Sequence, residues 1–503
     1  MNLLTASHSD PRVPPTGLAR ELTLVDNVAI VVGVIIGSAI FLVPSNIARA
    51  LPAPASVLAV WVIGGVITLG GALSLAELGS MFPGAGGLYT FLRKAFGDCS
   101  GFLYTWTFLL LINTGSMAAL ALAFGVYSAQ LMPIGQAAQK MVAVGCVSLL
   151  TIINCLGVGA AKRIQNLATL VKIGGIVVMC AVAFARRAPL QANASAGLTK
   201  AAFHPGWTQL GVALIAVLWA YEGWSYVTFA GGEMKDPRRD LPRSLLLGTL
   251  VVTVAYLSCT LAYYSVLTSQ EIAQSPGVAA ATMNRLIGPT ASVFISGLIL
   301  VSIVGAINGL MLTGPRGYFA MAVDGLCFPV FARLSPRYHT PTFAIMLQGF
   351  WAALLTLSGT YQQLFTAVVF TAWLSYTAAV VAVVVLRVRL PSHPRPYHVP
   401  FFPWLPGMFL LAALCVAASA AASEPRHAAL AVLLIVSGLP AYALVLRGRR
   451  RNHSRNELGS RTMSDIPLGD SQSQLEADTA ASVTDQLSSK ANGRPSARNE
   501  DVF

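Results

Sequence analysis

The chain has 503 residues, of which 55 % are hydrophobic and 11 % charged, with a formal net charge of +13. This composition, with a mean hydropathy of +0.66, excludes an ordinary soluble globular protein and predicts an all-α polytopic membrane protein. The positive charge does not point to nucleic acid, because Arg and Lys gather in alternate loops between apolar stretches, which predicts a chain embedded in membrane lipid.

The first 23 residues are polar and carry Pro11, Pro14 and Pro15, so a short segment without a cleavable signal is expected before the membrane domain. About twelve apolar segments follow, beginning near Val28, Ala55, Gly101, Met141, Ile164, Leu210, Leu245, Ala291, Phe343, Leu364, Leu405 and Ala428. The first, from about Val28 to Ala48, can cross a bilayer at about 1.5 Å per residue, yet Gly33, Gly37, Ser38 and Pro44 interrupt it. Glycine lets the backbone leave the helix, and a proline shortly afterwards suits the first turn of a new one. Two half-helices beside a polar cavity are expected, since broken backbone is tolerated at membrane depth only in such a setting. Carbonyls ending the first half would face a cation, and amides at Ser38, Ala39 and Ile40 would face an anion; a zwitterion fits both. A Gly-kinked packing helix without a ligand is the competing reading.

Beyond the second segment, Pro83-Gly84-Ala85-Gly86-Gly87 reads as a turn, and a short interfacial helix ending in Arg93 and Lys94 follows. In the fifth, Lys172 lies roughly 13 Å from the basic pair Lys162–Arg163. Its ammonium either binds carbonyls between the first and fifth segments or snorkels to the interface. The sixth segment repeats the interruption with Trp219-Ala220-Tyr221-Glu222-Gly223-Trp224-Ser225-Tyr226. Paired broken helices five segments apart point to an inverted-repeat transporter with its site between the repeats. Glu222 would face a cationic group, move a proton or bond the broken backbone. Trp219 is either a lid over the site or packing, and Ser225 on the same stretch is taken as a substrate contact.

The membrane domain is expected over 24–446: repeat one at about 24–186, repeat two at about 207–390, and two further helices at about 401–446. Residues 447–503 are too polar to bury a core and predict a disordered cytoplasmic tail. Loop charges place both termini in the cytoplasm of a cell-membrane protein, with Arg186–Arg187 as the local violation. Asp26, Glu77, Glu233 and Asp324 fall near cytoplasmic ends, either as gate ion pairs or as solvated or structural ones. The seven cysteines lack CxxC spacing, and the loop histidines His204, His339, His393, His398 and His427 lack ligand spacing. No metal, cofactor or enzymatic chemistry is expected.

Four stretches resemble the L-type amino acid transporter family of the amino acid-polyamine-organocation superfamily. They are Val28 to Phe41, Ala72 to Gly79 with Pro83 to Gly87, Glu233 to Pro242, and Ile307-Asn308-Gly309 leading to Arg316 and Asp324-Gly325. The resemblance implies a LeuT-like fold: a 5+5 inverted repeat with helices 1 and 6 broken, plus two further helices, moving an amino acid substrate by alternating access. It implies carboxylate binding at Ser38, Ala39 and Ile40, and amine-binding carbonyls at Ile35, Trp219, Ala220 and Glu222. Trp219 becomes the gate and Lys172 the fifth-helix lysine. The family's glycine-serine-glycine is Gly37-Ser38-Ala39 here, so a methyl group lies near the ligand and small to medium neutral substrates are expected. Ser128 to Met141 lacks the cysteine that joins animal members to a heavy chain, so no disulfide-linked partner is expected. A cationic amino acid or polyamine carrier, suggested by Glu222, and a non-transporting sensor stay open as alternatives.

Overall fold

The structure, a computed structural model, describes residues 18–186, 206–275, 277–359 and 361–464. The chain divides into one unit up to Val445 and a second from Leu446. Among its described residues the first unit's regular structure is helical, with turns and loops between the helices and an isolated bridge between Leu22 and Met234.

Helix α1 (Leu24–Ile35) begins at a reciprocal cap, in which Asp26 accepts from the Thr23 amide at 2.9 Å and the Thr23 hydroxyl accepts from the Asp26 amide at 3.4 Å. Its path stops at residues 36–38 and resumes as α2 (Ala39–Ala50) after a 46° bend. Pro44 does not open α2, as the sequence suggests, but lies inside it. Its missing N–H would leave the Ile40 carbonyl unpaired, and the Tyr263 hydroxyl donates there at 3.3 Å. A tertiary contact thus replaces the helical bond, which is why the proline is tolerated.

Long α3 (Pro54–Met81) and short α4 (Leu88–Phe96) lead into α5 (Asp98–Leu131), whose turn Phe108–Ile112 is π-helical. Helices α6 (Gln136–Cys155), α7 (Val158–Ala185) and α8 (Trp207–Ala220) follow. The second interruption differs from the first, for α8 gives way at Tyr221 to Gly223 to a wholly buried 3₁₀ segment, Trp224–Glu233, rather than to a second α-helix. Next come α9 (Pro237–Val266), the short α10 (Ser269–Gln274) and α11 (Val278–Ile287), then α12 (Ala291–Thr313) and α13 (Pro315–Val323). The described residues finish with α14 (Thr342–Ser358), α15 (Tyr361–Arg389), α16 (Trp404–Ser423) and α17 (Pro425–Ser464).

Among the described residues ten helices are long and apolar enough to span a membrane and the bent pair α1–α2 makes eleven, one fewer than the twelve expected; α14 is apolar but, at 17 residues, falls short of a span's length. Residues 447–464, expected to be disordered, are helical as the last part of α17, whose Arg, Glu and Leu residues favour helical backbone. The rest of the expected tail, from 465, lies outside the described residues, as do residues 1–17 and Arg187.

Of the four acidic residues near predicted cytoplasmic ends, Asp26 is a helix cap and also accepts from Asn166 at 2.6 Å. The other three tie distant elements together. Glu233 and Arg316 form a two-bond ion pair at 2.8 and 3.0 Å, with 0 % and 1 % of their side chains exposed. Glu77 receives Arg387 at 2.6 and 2.9 Å and the Val399 amide at 2.8 Å. Asp324 receives Arg93 at 2.6 Å and the Tyr89 hydroxyl at 2.8 Å. Glu77 and Glu233 are therefore not solvated charges.

Candidate functional site

The two breaks meet. Gly223 sits at φ +119°, and a Cβ there would lie 2.7 Å from Val34 Cγ1 and 3.2 Å from the Ile35 amide nitrogen. Only a residue without a side chain allows both the left-handed turn and this approach. The Tyr256 hydroxyl of α9 joins the same two ends, lying 2.8 Å from the Ala220 carbonyl and 3.3 Å from that of Ile35. These are the last residues of α8 and α1, where helical carbonyls lack their own donors. Edge contacts with Trp61, at ring distances of 5.0 and 5.9 Å, hold Tyr256 and Tyr221 in place.

Beside this junction lies a cavity of about 90 Å³, smaller than the roughly 300 Å³ at which drug-sized sites begin. Ile35, Gly37, Ser38, Ala39, Trp219 and Glu222 line it, as expected from the sequence. Ile40 and Ala220 do not. Their side chains are buried and their carbonyls already accept from Tyr263 and Tyr256. Ser225 is also absent from the wall, because its hydroxyl donates to the Tyr376 hydroxyl at 3.0 Å. The Ile35 carbonyl, expected to take an amine, accepts from the Gly37 amide at 2.9 Å as well as from Tyr256. At the opposite pole α2 begins at Ala39 with no side-chain cap, so its first amides lack helical partners of their own.

Sequence reasoning missed the rest of the wall. Ser116, Ala119 and Leu120 come from α5, Leu310 from α12, and Val368 and Val369 from α15. All are uncharged and sit in uninterrupted runs like those of any packed membrane helix, so nothing in the sequence marked these. Tyr376 of α15 donates to Glu222 Oε1 at 2.7 Å. Glu222 Oε2 and the Tyr226 hydroxyl are buried without a hydrogen-bond partner, and both residues line the cavity. The site thus has helix-end amides at one pole, an apolar waist, and a carboxyl oxygen with an unused acceptor.

Lys172 lies apart from the cavity wall and is 0 % exposed. Its ammonium donates to the carbonyls of Gly33 at 2.8 Å, Ile36 at 2.6 Å and Ser302 at 3.1 Å, using its full set of protons. Snorkelling is excluded by this position; the positive charge rests where α1 ends. Among the described residues no group of three His, Cys, Asp or Glu side chains could hold a metal ion.

Many apolar spans, two broken helices meeting at a small cavity, and donors and acceptors at its ends define a multi-pass membrane transporter. The chain belongs to the amino acid permease family, whose model matches residues 22–445. It is 32 % identical over 440 residues to the serine/threonine exchanger SteT of Bacillus subtilis, an alignment covering 85 % of this chain and 97 % of that protein. It is 30 % identical over 444 residues to the b(0,+)-type amino acid transporter 1 of Mus musculus, covering 85 % and 88 %. The large neutral amino acids transporter small subunit 2 of Mus musculus is 31 % identical over 444 residues, covering 85 % and 81 %.

Proposed function

We propose that this amino acid transporter exchanges small to medium neutral L-amino acids across the cell membrane by alternating access. The observation that carries the reading is the pairing of uncapped α2 amides at Ser38 to Ile40 with the carbonyl ends of α1 and α8 across a small, mostly apolar cavity. The substrate carboxylate would sit on the amides and its ammonium on the carbonyls. Tyr256 yields part of its bonding to the ammonium when substrate enters. Trp219 closes over the ligand, and the Lys172 ammonium holds the α1 end where a coupling cation would otherwise bind. The Ala39 methyl and the limited volume favour small side chains. The names of the relatives, a serine/threonine exchanger among them, support the same class.

In this reading repeat one spans about 24–186, repeat two about 207–390, with the helices of 401–446 outside them, and 447–503 forms a cytoplasmic tail. Both termini lie in the cytoplasm, the protein has no enzymatic activity, and it works without a disulfide-linked heavy chain. A second reading, transport of basic amino acids or polyamines, is favoured by the unpartnered Glu222 Oε2 on the cavity wall.

Proteoliposomes holding this protein alone test both. Labelled alanine should enter only when unlabelled amino acid is inside, should ignore an imposed pH gradient, and should be displaced by serine or threonine at least tenfold better than by lysine or putrescine. Uptake driven by the pH gradient would replace exchange with proton coupling. Better displacement by lysine would establish the second reading, and binding without uptake would favour a sensor.

A further inference from the structure

Helix α7 presents Gln165, Thr169 and Lys172 at i, i+4 and i+7, a single face. All three point into α1. Gln165 Nε2 donates to the Ala29 carbonyl at 3.2 Å and Thr169 Oγ1 to the same carbonyl at 3.1 Å, one turn before the Gly33 carbonyl held by Lys172. Gly33 makes this possible: a Cβ there would stand 1.9 Å from Gln165 Nε2 and 2.7 Å from Thr169 Oγ1. Behind Gln165 runs a chain of side-chain amides. Asn154 donates to Asn308 Oδ1 at 3.0 Å, and Asn308 donates to Gln165 Oε1 at 2.9 Å and to the Ala161 carbonyl at 3.0 Å. Asn154, Asn308 and Gln165 are 2, 0 and 0 % exposed. An amide whose oxygen is held must turn its NH₂ the other way, so the chain has a direction and ends on Ala29.

We infer that Gln165 and Thr169 are positioning residues for alternating access: with Asn308 and Asn154 behind Gln165, they latch α1 against α7 through the Ala29 carbonyl. The inference rests on the transport reading above and assigns these residues a part in it. On the Ala29 carbonyl the donors are neutral, so water entering the gap when α1 leaves replaces these two bonds at a modest net cost; the Lys172 and Asn166 bonds lie at other turns of the same contact. Both donors converge on one oxygen, so loss of either loosens α1, which Lys172 and Asn166 still hold, and shifts the population towards the form open at its Leu24 end. Apparent affinity from the opposite side then falls with the competent fraction.

The test uses the purified full-length protein and its Thr169→Val, Gln165→Leu and Thr169→Ser variants. Hydrogen–deuterium exchange of the amides in residues 24–35 should speed up at least fivefold in Thr169→Val and in Gln165→Leu, and stay within twofold of native in Thr169→Ser, which keeps the donor. Transport should show a split: half-saturation from the side opposite Leu24 rises at least threefold while the maximal rate stays within twofold. Exchange within twofold of native in both donor-less variants, or Thr169→Ser behaving like Thr169→Val, would overturn the latch. The exchange measurement does not depend on transport. A native protein that moves no amino acid would overturn the proposed function, while the exchange ratios would still decide the latch.

Discussion

Glu222 is the residue whose chemistry the site leaves open. One carboxyl oxygen is held by the Tyr376 hydroxyl and the other faces inward without a partner. A basic side chain entering the cavity would pair with that oxygen; an alkyl or hydroxyl side chain needs no charge there. Glu222→Gln keeps an oxygen for Tyr376 and removes the charge. Alanine exchange should therefore stay within about threefold, while any competition by lysine weakens at least tenfold, equivalent to about 1.4 kcal/mol. Competition assays on the two forms check this. Alanine exchange lost together with lysine competition would give Glu222 a part in holding the break itself. The sequence marked Glu222 because a carboxylate inside an apolar span is costly, but its partner Tyr376 was invisible, since tyrosine in a membrane helix has no such cost to betray it.

At the scale of elements, both interruptions were legible from glycine, proline and a misplaced charge, but their forms were not. The first break resumes as an α-helix and the second as a 3₁₀ segment, because the latter is buried on every side and anchored at its end by Arg316. Pro44 shows the limit of a local rule. Its place inside α2 is paired with a hydroxyl 219 positions away, since Tyr263 donates to the carbonyl that proline orphans. Tyr263→Phe should cost about 1–3 kcal/mol in the native background, where Ile40 loses its donor. In a Pro44→Ala background the restored N–H takes over, and the same substitution should cost less than about 0.5 kcal/mol. A double-mutant cycle on melting temperature in detergent measures the coupling, and two equal costs would show that the hydroxyl does not serve the proline.

Across the whole molecule, ion pairs join parts that the chain order keeps apart. Glu77 meets Arg387, Arg93 meets Asp324, and Glu233 meets Arg316. Burial separates these pairs in importance. Removing one partner of the Glu233–Arg316 pair strands a charge with no access to water, a loss of roughly 3–5 kcal/mol, whereas an exposed pair contributes about 0–1 kcal/mol. Arg316→Met should therefore lower thermal stability sharply, while Arg239→Met, at the exposed Asp236–Arg239 contact, should leave it nearly unchanged. Melting curves of the two variants in detergent decide it, and similar shifts would mean that the buried pair is not what joins the 3₁₀ segment to α13.

The sequence by itself determined what depends on local composition and spacing. Apolar runs long enough to span a bilayer, two of them interrupted, and a lysine and a glutamate where charge is costly all follow from the solvent that a membrane is, because a span must match the bilayer's thickness and satisfy its own backbone whichever helices it packs against. Four stretches, two of them away from the breaks, carried the resemblance to the L-type amino acid transporter family, and the chain belongs to the amino acid permease family. Tertiary structure decided which groups meet. A hydrogen bond or ion pair depends on directions and on fractions of an ångström, and one-dimensional spacing does not carry these between helices. Tyr256 therefore joins two helix ends, α5 and α15 complete the cavity, Ile40 and Ser225 leave its wall, and Gly33 opens the way by which Gln165 and Thr169 reach Ala29.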